Sequence, residues 1–299
     1  MIEIIRGTNI DFIGKRKYGF VFSATVVFLA LVLTFVKGPN FGIDFTGGAL
    51  LQIRFAETIT TSELRTALST IGKERAMIQA LGVEKKEYII RAAEADPVEF
   101  AKSVKQLLRE NFSDNDQEFL REETVEPKIG KELLIGTLWA IFLALVLILL
   151  YVSFRFDYRF GIAAVIALFH DAIFTIGILV LFQREFSIVV VGALLTIIGY
   201  SINDSIVISD RIRENQKKMR KEPYNVILNT GLNETLPRTI LTSSTTLLAV
   251  LALLIFGGTV IADFAFTLLI GFIIGTYSSI FILASIVSVW EERFPKKKK

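Results

Sequence analysis

The chain has 299 residues, is 52% apolar and 21% charged, and carries a formal net charge of +3. Soluble domains are less apolar and more charged than this, and here the apolar residues fall in blocks near or above the roughly 18 to 20 needed to cross a bilayer as helix. With no cysteine and a single histidine, disulfides, thiolate metal sites and multi-histidine metal sites within the chain are excluded; no metal, cofactor or nucleic acid is expected.

In chain order, residues 1–17 read as a basic N-terminal segment with Arg6, Lys15, Arg16 and Lys17, followed by a first span over Tyr18–Val36. Residues 37–130 are mostly polar, and residues 131–290 hold five more spans: Leu133–Val152, Phe160–Phe182, Phe186–Ser209, Thr239–Phe256 and Phe264–Val289. Residues 291–299 form a basic tail ending in Lys296–Lys299. Lysine and arginine placement orients the chain. Arg155 and Arg159 follow the second span, and Arg211, Arg213, Lys217, Lys218, Arg220 and Lys221 follow the fourth. With six spans these stretches and both termini share one side, the cytoplasmic one, and residues 37–130 face outward.

"GIDFTGG" joins the first span to the polar region. Gly42, Gly47 and Gly48 around Asp44 imply a sharp turn or a close backbone approach: a plain connector, or a docking point between the external domain and its membrane base. "GGALLQIRF" alternates, with Leu51, Ile53 and Phe55 on one face and Gln52 and Arg54 on the other, as a strand does. "TTSELRTALSTIG" opens and closes like a capped helix. "RAMIQALGV" and "EYIIRAA" read as strands around a polar turn at Glu84–Glu87. "DPVEFAKSVKQLLRENF" starts a helix at Asp96 and Pro97, with Val98, Phe100, Ala101, Val104, Leu107 and Leu108 on its apolar face, and "EFLREETVE" is a last strand. The order βαββαβ suggests a small ferredoxin-like α+β unit. It holds no catalytic constellation and reads as an interaction module.

Three places put ionisable groups inside the spans. His170 and Asp171 lie about 15 Å into the third span at the helical rise, where a charge costs about 2.5 to 3.5 kcal/mol or more and commonly marks an ion or substrate path. The alternative is a protonated aspartate, or a histidine bonded to a neighbouring helix for packing. Asp204 lies about 27 Å along the fourth span, towards its cytoplasmic end, with Asn203 beside it. Ser201 and Ser205 make an i, i+4 row of small residues that admits a close helix. Arg238, after Pro237, is read as beginning the fifth span, where a cation opposes the helix dipole unless an anion answers it. Asp204 is at matching depth and is its candidate partner; the other reading of Arg238 is a cytoplasmic anchor. The polar run Thr242–Thr246 follows it as a candidate hydrated lining. Gly271 and Gly275 are read as helix-packing positions.

"GIDFTGG", "VEPKIGKEL", "FHD", "GYSINDSIVISDRIREN" and "LPRTILTSSTTLLAV", in this order and spacing, resemble the SecF branch of the SecD/SecF family of protein-export membrane proteins, within the RND superfamily. The resemblance covers nearly the whole chain. One departure is Glu126, where the family commonly has glycine before Pro127. The resemblance implies a non-enzymatic subunit of a bacterial inner-membrane export machine. It implies pairing with SecD into a twelve-span unit that works beside the SecYEG channel with YajC- or YidC-type accessory proteins. The implied unit uses proton entry, or sodium in its place, to move the external domains and draw unfolded preproteins outward. It also implies that Asp204 and Arg238 belong to the proton pathway. The competing readings are an RND-type half-exporter of small molecules or lipids, an intramembrane aspartyl protease built on Asp171 and Asp204, and a purely structural assembly subunit.

Overall fold

The computed structural model describes residues 8–82, 84, 86–258 and 261–295. Arg6, Lys296–Lys299 and part of the Glu84–Glu87 turn fall outside them. In chain order the elements are α1 (Arg16–Lys37), β1 (Asn40–Phe41), α2 (Ile43–Thr46), β2 (Gly48–Phe55), α3 (Thr61–Ser69), β3 (Met77–Leu81), β4 (Glu87–Ala92), α4 (Pro97–Asn111), β5 (Gln117–Val125), α5 (Pro127–Arg155), α6 (Tyr158–Leu181), β6 (Glu185–Phe186), α7 (Ile188–Lys218), α8 (Tyr224–Phe256), α9 (Ala262–Ser278), a π-turn over Ser279–Leu283, and α10 (Ala284–Arg293). Among the described residues, six helical rods are long and apolar enough to span a membrane, the last running from α9 through the π-turn into α10. The chain divides into two compact units, one of residues 41–139 with 186–188 and one of the remainder.

In the first unit, β2 to β5 form an antiparallel sheet in the order β3-β4-β2-β5. The chain order is βαββαβ, with α3 and α4 packed on one face. Leu51, Ile53 and Phe55 of β2 enter that core with Leu64, Leu68, Tyr88, Ile90, Phe100, Val104 and Leu108. Gln52 and Arg54 lie on the opposite face, and both reach Glu87. Thr60 caps α3 in a reciprocal box with Glu63, and Asp96 caps α4 with Pro97 at its first position. Such boxes satisfy amides that have no partner within the helix. Val98 departs from its expected place: it is 66% exposed. Pro97 takes its place on the buried stripe, in line with Ala101, Val104 and Leu108.

In the membrane unit, α6, α7 and α9 supply most of the interior, and α1, α5 and α8 show broad apolar surface such as Phe35, Phe154 and Phe256. The largest boundary difference is α8, which starts at Tyr224 and not at Thr239. Its first four turns carry asparagines and a glutamate that break hydropathy, yet Ile227, Leu228, Leu232 and Leu236 form a stripe packed on Ile208 and Ile212 of α7. Pro237 therefore sits inside the helix. Two of those asparagines hold residues 10–13. Asn233 Oδ1 accepts from the Ile10 amide at 2.8 Å, Asn229 Oδ1 accepts from the Phe12 amide at 2.8 Å, and both side-chain amides donate to the Ile10 carbonyl. Arg159 is buried and paired with Glu291.

Leu68→Ala leaves a cavity in the core of the α+β unit, and its expected cost is about 2 to 5 kcal/mol, read by chemical denaturation of the full chain in detergent. Glu63 is held below the usual glutamate range, first by the Thr60 amide and then by its hydroxyl. A depressed carboxyl stabilises above its unfolded pKa and loses that contribution as pH falls through the folded one. The contribution of the Glu63 carboxylate is therefore expected whole at neutral pH and lost in acid. Comparing Glu63→Gln with the parent chain across that range checks it: the gap between them closes as pH drops.

Candidate functional site

The centre of the membrane unit is a buried carboxylate. Asp171 of α6 is 1% exposed. Its Oδ2 accepts from Ser201 Oγ of α7 at 2.8 Å and from Ser278 Oγ of α9 at 2.7 Å. Its Oδ1 is 3.0 Å from His170 Nδ1, and its backbone carbonyl accepts from Thr175. One side chain thus ties three helices. His170 Nε2 is buried without a hydrogen-bond partner, and its ring lies 6.2 Å from that of Tyr277.

Small residues let these helices meet. A Cβ on Gly271 would come within 2.1 Å of Ile197, and one on Gly275 within 3.2 Å of Ser201 Cβ. Ser205, the next small residue of the α7 row, is buried as well. Sequence reasoning passed over Ser278; the signal was the polar run "TYSS" directly after Gly275. A second relay crosses the bundle: Tyr200 Oη donates to Ser243 Oγ at 3.2 Å, and Ser243 is 2.8 Å from Thr276 Oγ1. Of the run Thr242–Thr246, Ser243 turns inward, whereas Thr242, Thr245 and Thr246 bond to carbonyls of their own helix.

Asp204 is 4% exposed, and its Oδ2 is buried without a hydrogen-bond partner. Thr239 Oγ1 of α8 is another buried oxygen without one. Arg238 is the cation whose field Asp204 feels, but among the described residues no ion pair joins them. Arg238 is exposed, as is Asn203. The expectation that Arg238 begins a helix is overturned: α8 runs continuously past it, so it faces no unpaired helix-terminal dipole. The two carboxylates of an aspartyl protease would share a proton; here both oxygens of Asp171 are engaged by His170, Ser201 and Ser278 rather than by Asp204.

The connector belongs to the α+β unit. Gly42 precedes α2, and its amide donates to the Phe186 carbonyl at 2.9 Å. Asp44 Oδ2 accepts from the Ile188 amide at 2.8 Å. Gly47 and Gly48 have φ of +71° and +123°; a Cβ on Gly47 would sit 2.5 Å from Pro127 Cα, and one on Gly48 2.1 Å from the Ala92 carbonyl oxygen. Both conformation and space therefore demand glycine there. Glu126 meets no such demand: Gln183 is the sole non-glycine with positive φ among the described residues, and the Glu126 carbonyl accepts from Gly130 in the first turn of α5. Among the described residues no three metal-ligating side chains cluster.

A polytopic membrane chain of six spans, with an α+β unit inserted after the first, is the class this architecture defines. Residues 103–293 match the model of the protein-export membrane protein SecD/SecF C-terminal region, and residues 32–59 match the SecD/SecF GG motif. The chain is 44% identical to the protein translocase subunit SecF of Desulfurispirillum indicum, over 99% of this chain and 96% of that protein. It is 42% identical to the SecF subunit of Calditerrivibrio nitroreducens, over 96% of each. The crystal structure of SecDF, a translocon-associated membrane protein from Thermus thermophilus, superposes with a TM-score of 0.88 at 40% identity, over 98% of this chain and 40% of that one. The chain belongs to the SecD/SecF family.

Ser201→Ala and Ser278→Ala each remove one donor from a fully buried acceptor, a loss of about 1 to 3 kcal/mol. Thermal unfolding in detergent is expected to show both variants less stable, while Thr245→Ala, whose hydroxyl bonds only to its own helix, leaves the midpoint nearly unmoved.

Proposed function

We propose that the chain is the SecF-type half of a unit that uses an ion gradient to promote late steps of protein export across the bacterial inner membrane. The relatives' near full-length match supports the assignment, and the observation that carries the mechanism is Asp204. A buried carboxylate oxygen without a donor is costly, and two states relieve the charge: protonation, or approach of Arg238. An aspartate poised between them exchanges a proton when its cation moves. The coupling ion is the proton, with sodium as the alternative that the same experiment tests. His170 and Asp171 serve the interhelical tie, and Gly271, Gly275, Ser201 and Ser205 serve close packing.

The partner is a SecD-type second half. Arg238 and Asn203 are polar, exposed and placed on spans, where lipid is a poor neighbour for them; a second set of helices would cover them. The larger assembly includes the SecYEG channel, YajC- or YidC-type accessory proteins and the unfolded preprotein. Lysine and arginine bias supports cytoplasmic termini and an outward α+β unit. That unit is read as ferredoxin-like on its βαββαβ order with the first strand between the third and the fourth. In the cycle, a proton from outside neutralises Asp204 and frees Arg238, the helices repack, the shift reaches the external unit through the "GIDFTGG" connector, and release inward restores the start.

The test is export into inverted membrane vesicles for Asp204→Asn co-assembled with its SecD partner, with and without a proton gradient. Asparagine keeps the shape and removes the titration. Late export is expected to proceed at the no-gradient rate in both conditions. Gradient stimulation equal to that of the parent chain would overturn the pathway. Stimulation of the parent chain by a sodium gradient in place of the proton gradient would reassign the ion.

A further inference from the structure

The connector does more than change the chain's direction. Its aspartate sits at the start of α7, the helix that carries Asp204. Asp44 Oδ2 accepts from the amide of Ile188, the first residue of that helix, at 2.8 Å. Two further ties accompany it. The Gly42 amide donates to the Phe186 carbonyl, and the rings of Phe41, Phe45 and Phe186 cluster with centroids 5.7 to 6.1 Å apart. On its other side the connector is committed just as firmly. Gly47 rests on Pro127, and Gly48 is already the first residue of β2, the strand paired on both edges with β4 and β5.

A carboxylate on a helix-terminal amide is a charge-assisted hydrogen bond, reinforced by the helix dipole. It grips the backbone of α7 rather than a side chain, so it follows the axial position of the whole rod. We infer that Asp44 is a positioning residue that makes α7 and β2 move as one piece, so that a shift of α7 reaches the external sheet through the Asp44 cap and not only through the covalent link from α1. This rests on the reading of Asp204 given above.

The inference predicts uncoupling, not loss of the ion path. In vesicles holding the full complex, three variants are compared with the parent for assembly, gradient-stimulated late export, and proton influx read by an internal pH dye. Asp44→Ala is expected to assemble and admit protons while its export falls to the no-gradient level. Asp44→Asn retains an acceptor oxygen at the same reach and is expected to recover most of the stimulation; a merely structural need for the native residue would not produce that split. Should Asp44→Ala fail to assemble, Asp44→Thr takes its place, because its oxygen is one bond closer to the backbone and falls short of Ile188. Full stimulation in the cap-deleted variant overturns the inference. So does loss of proton influx together with export, or an Asp44→Asn as inactive as Asp44→Ala. Asp204→Asn is run alongside: if it still responds to the gradient, the ion-path reading fails by itself, and the Asp44 comparison continues to report on coupling.

Discussion

A carboxylate with almost no access to solvent must have its lone pairs answered by the protein. Asp171 meets that demand with one hydroxyl from α7, one from α9 and the imidazole beside it. The rest of the membrane unit is arranged around the requirement. Gly275 must be small because Ser201 has to come close enough to donate, and Gly271 must be small because the same approach brings Ile197 into contact one turn away. The π-turn begins immediately after Ser278. The extra residue in that turn alters the helical phase beyond it, so Ser278 can face Asp171 while Phe281 stacks on Tyr277 and meets Phe12.

The two aspartates of the interior therefore do different work with the same functional group. Asp171 is saturated with partners and joins helices. Asp204, two elements away in the chain, has a bare oxygen and a cation in electrostatic range but not in contact. Saturation favours a single arrangement; a deficit of partners imposes no such preference. In the α+β unit the same demand appears at helix ends, where Thr60, Asp96 and Asp44 each answer a backbone amide.

Much of this was readable in advance. Apolar blocks against bilayer thickness located all six spans, and alternation plus capping residues located α3, α4 and the strand carrying Leu51, Ile53 and Phe55. What hydropathy missed was the front of α8, since Asn225, Asn229, Asn233 and Glu234 mask an apolar stripe that is amphipathic rather than uniformly greasy. Pro237 then passed for a boundary, although a proline within a long helix is tolerated when neighbours hold the rod. Val98 was misplaced because adjacency to other apolar residues says little about helical phase. The clasp on Asp171 escaped because its donors come from three separate helices, and Ser278 reads in isolation as one more small residue in a packing run.

Asn229 and Asn233 grip residues 10–13 by amides and a carbonyl alone. Recognition of that kind is blind to side-chain identity. Mutations that change the residues along this stretch leave those contacts available, provided that the backbone keeps its path and proline does not remove a needed donor. Ile10, which is exposed, is thus free to vary at little cost to its seat on α8, while the two asparagines, and Phe12 and Ile13 with their side chains in the core, are not. Divergence there would reflect tolerance of the grip, not absence of a role.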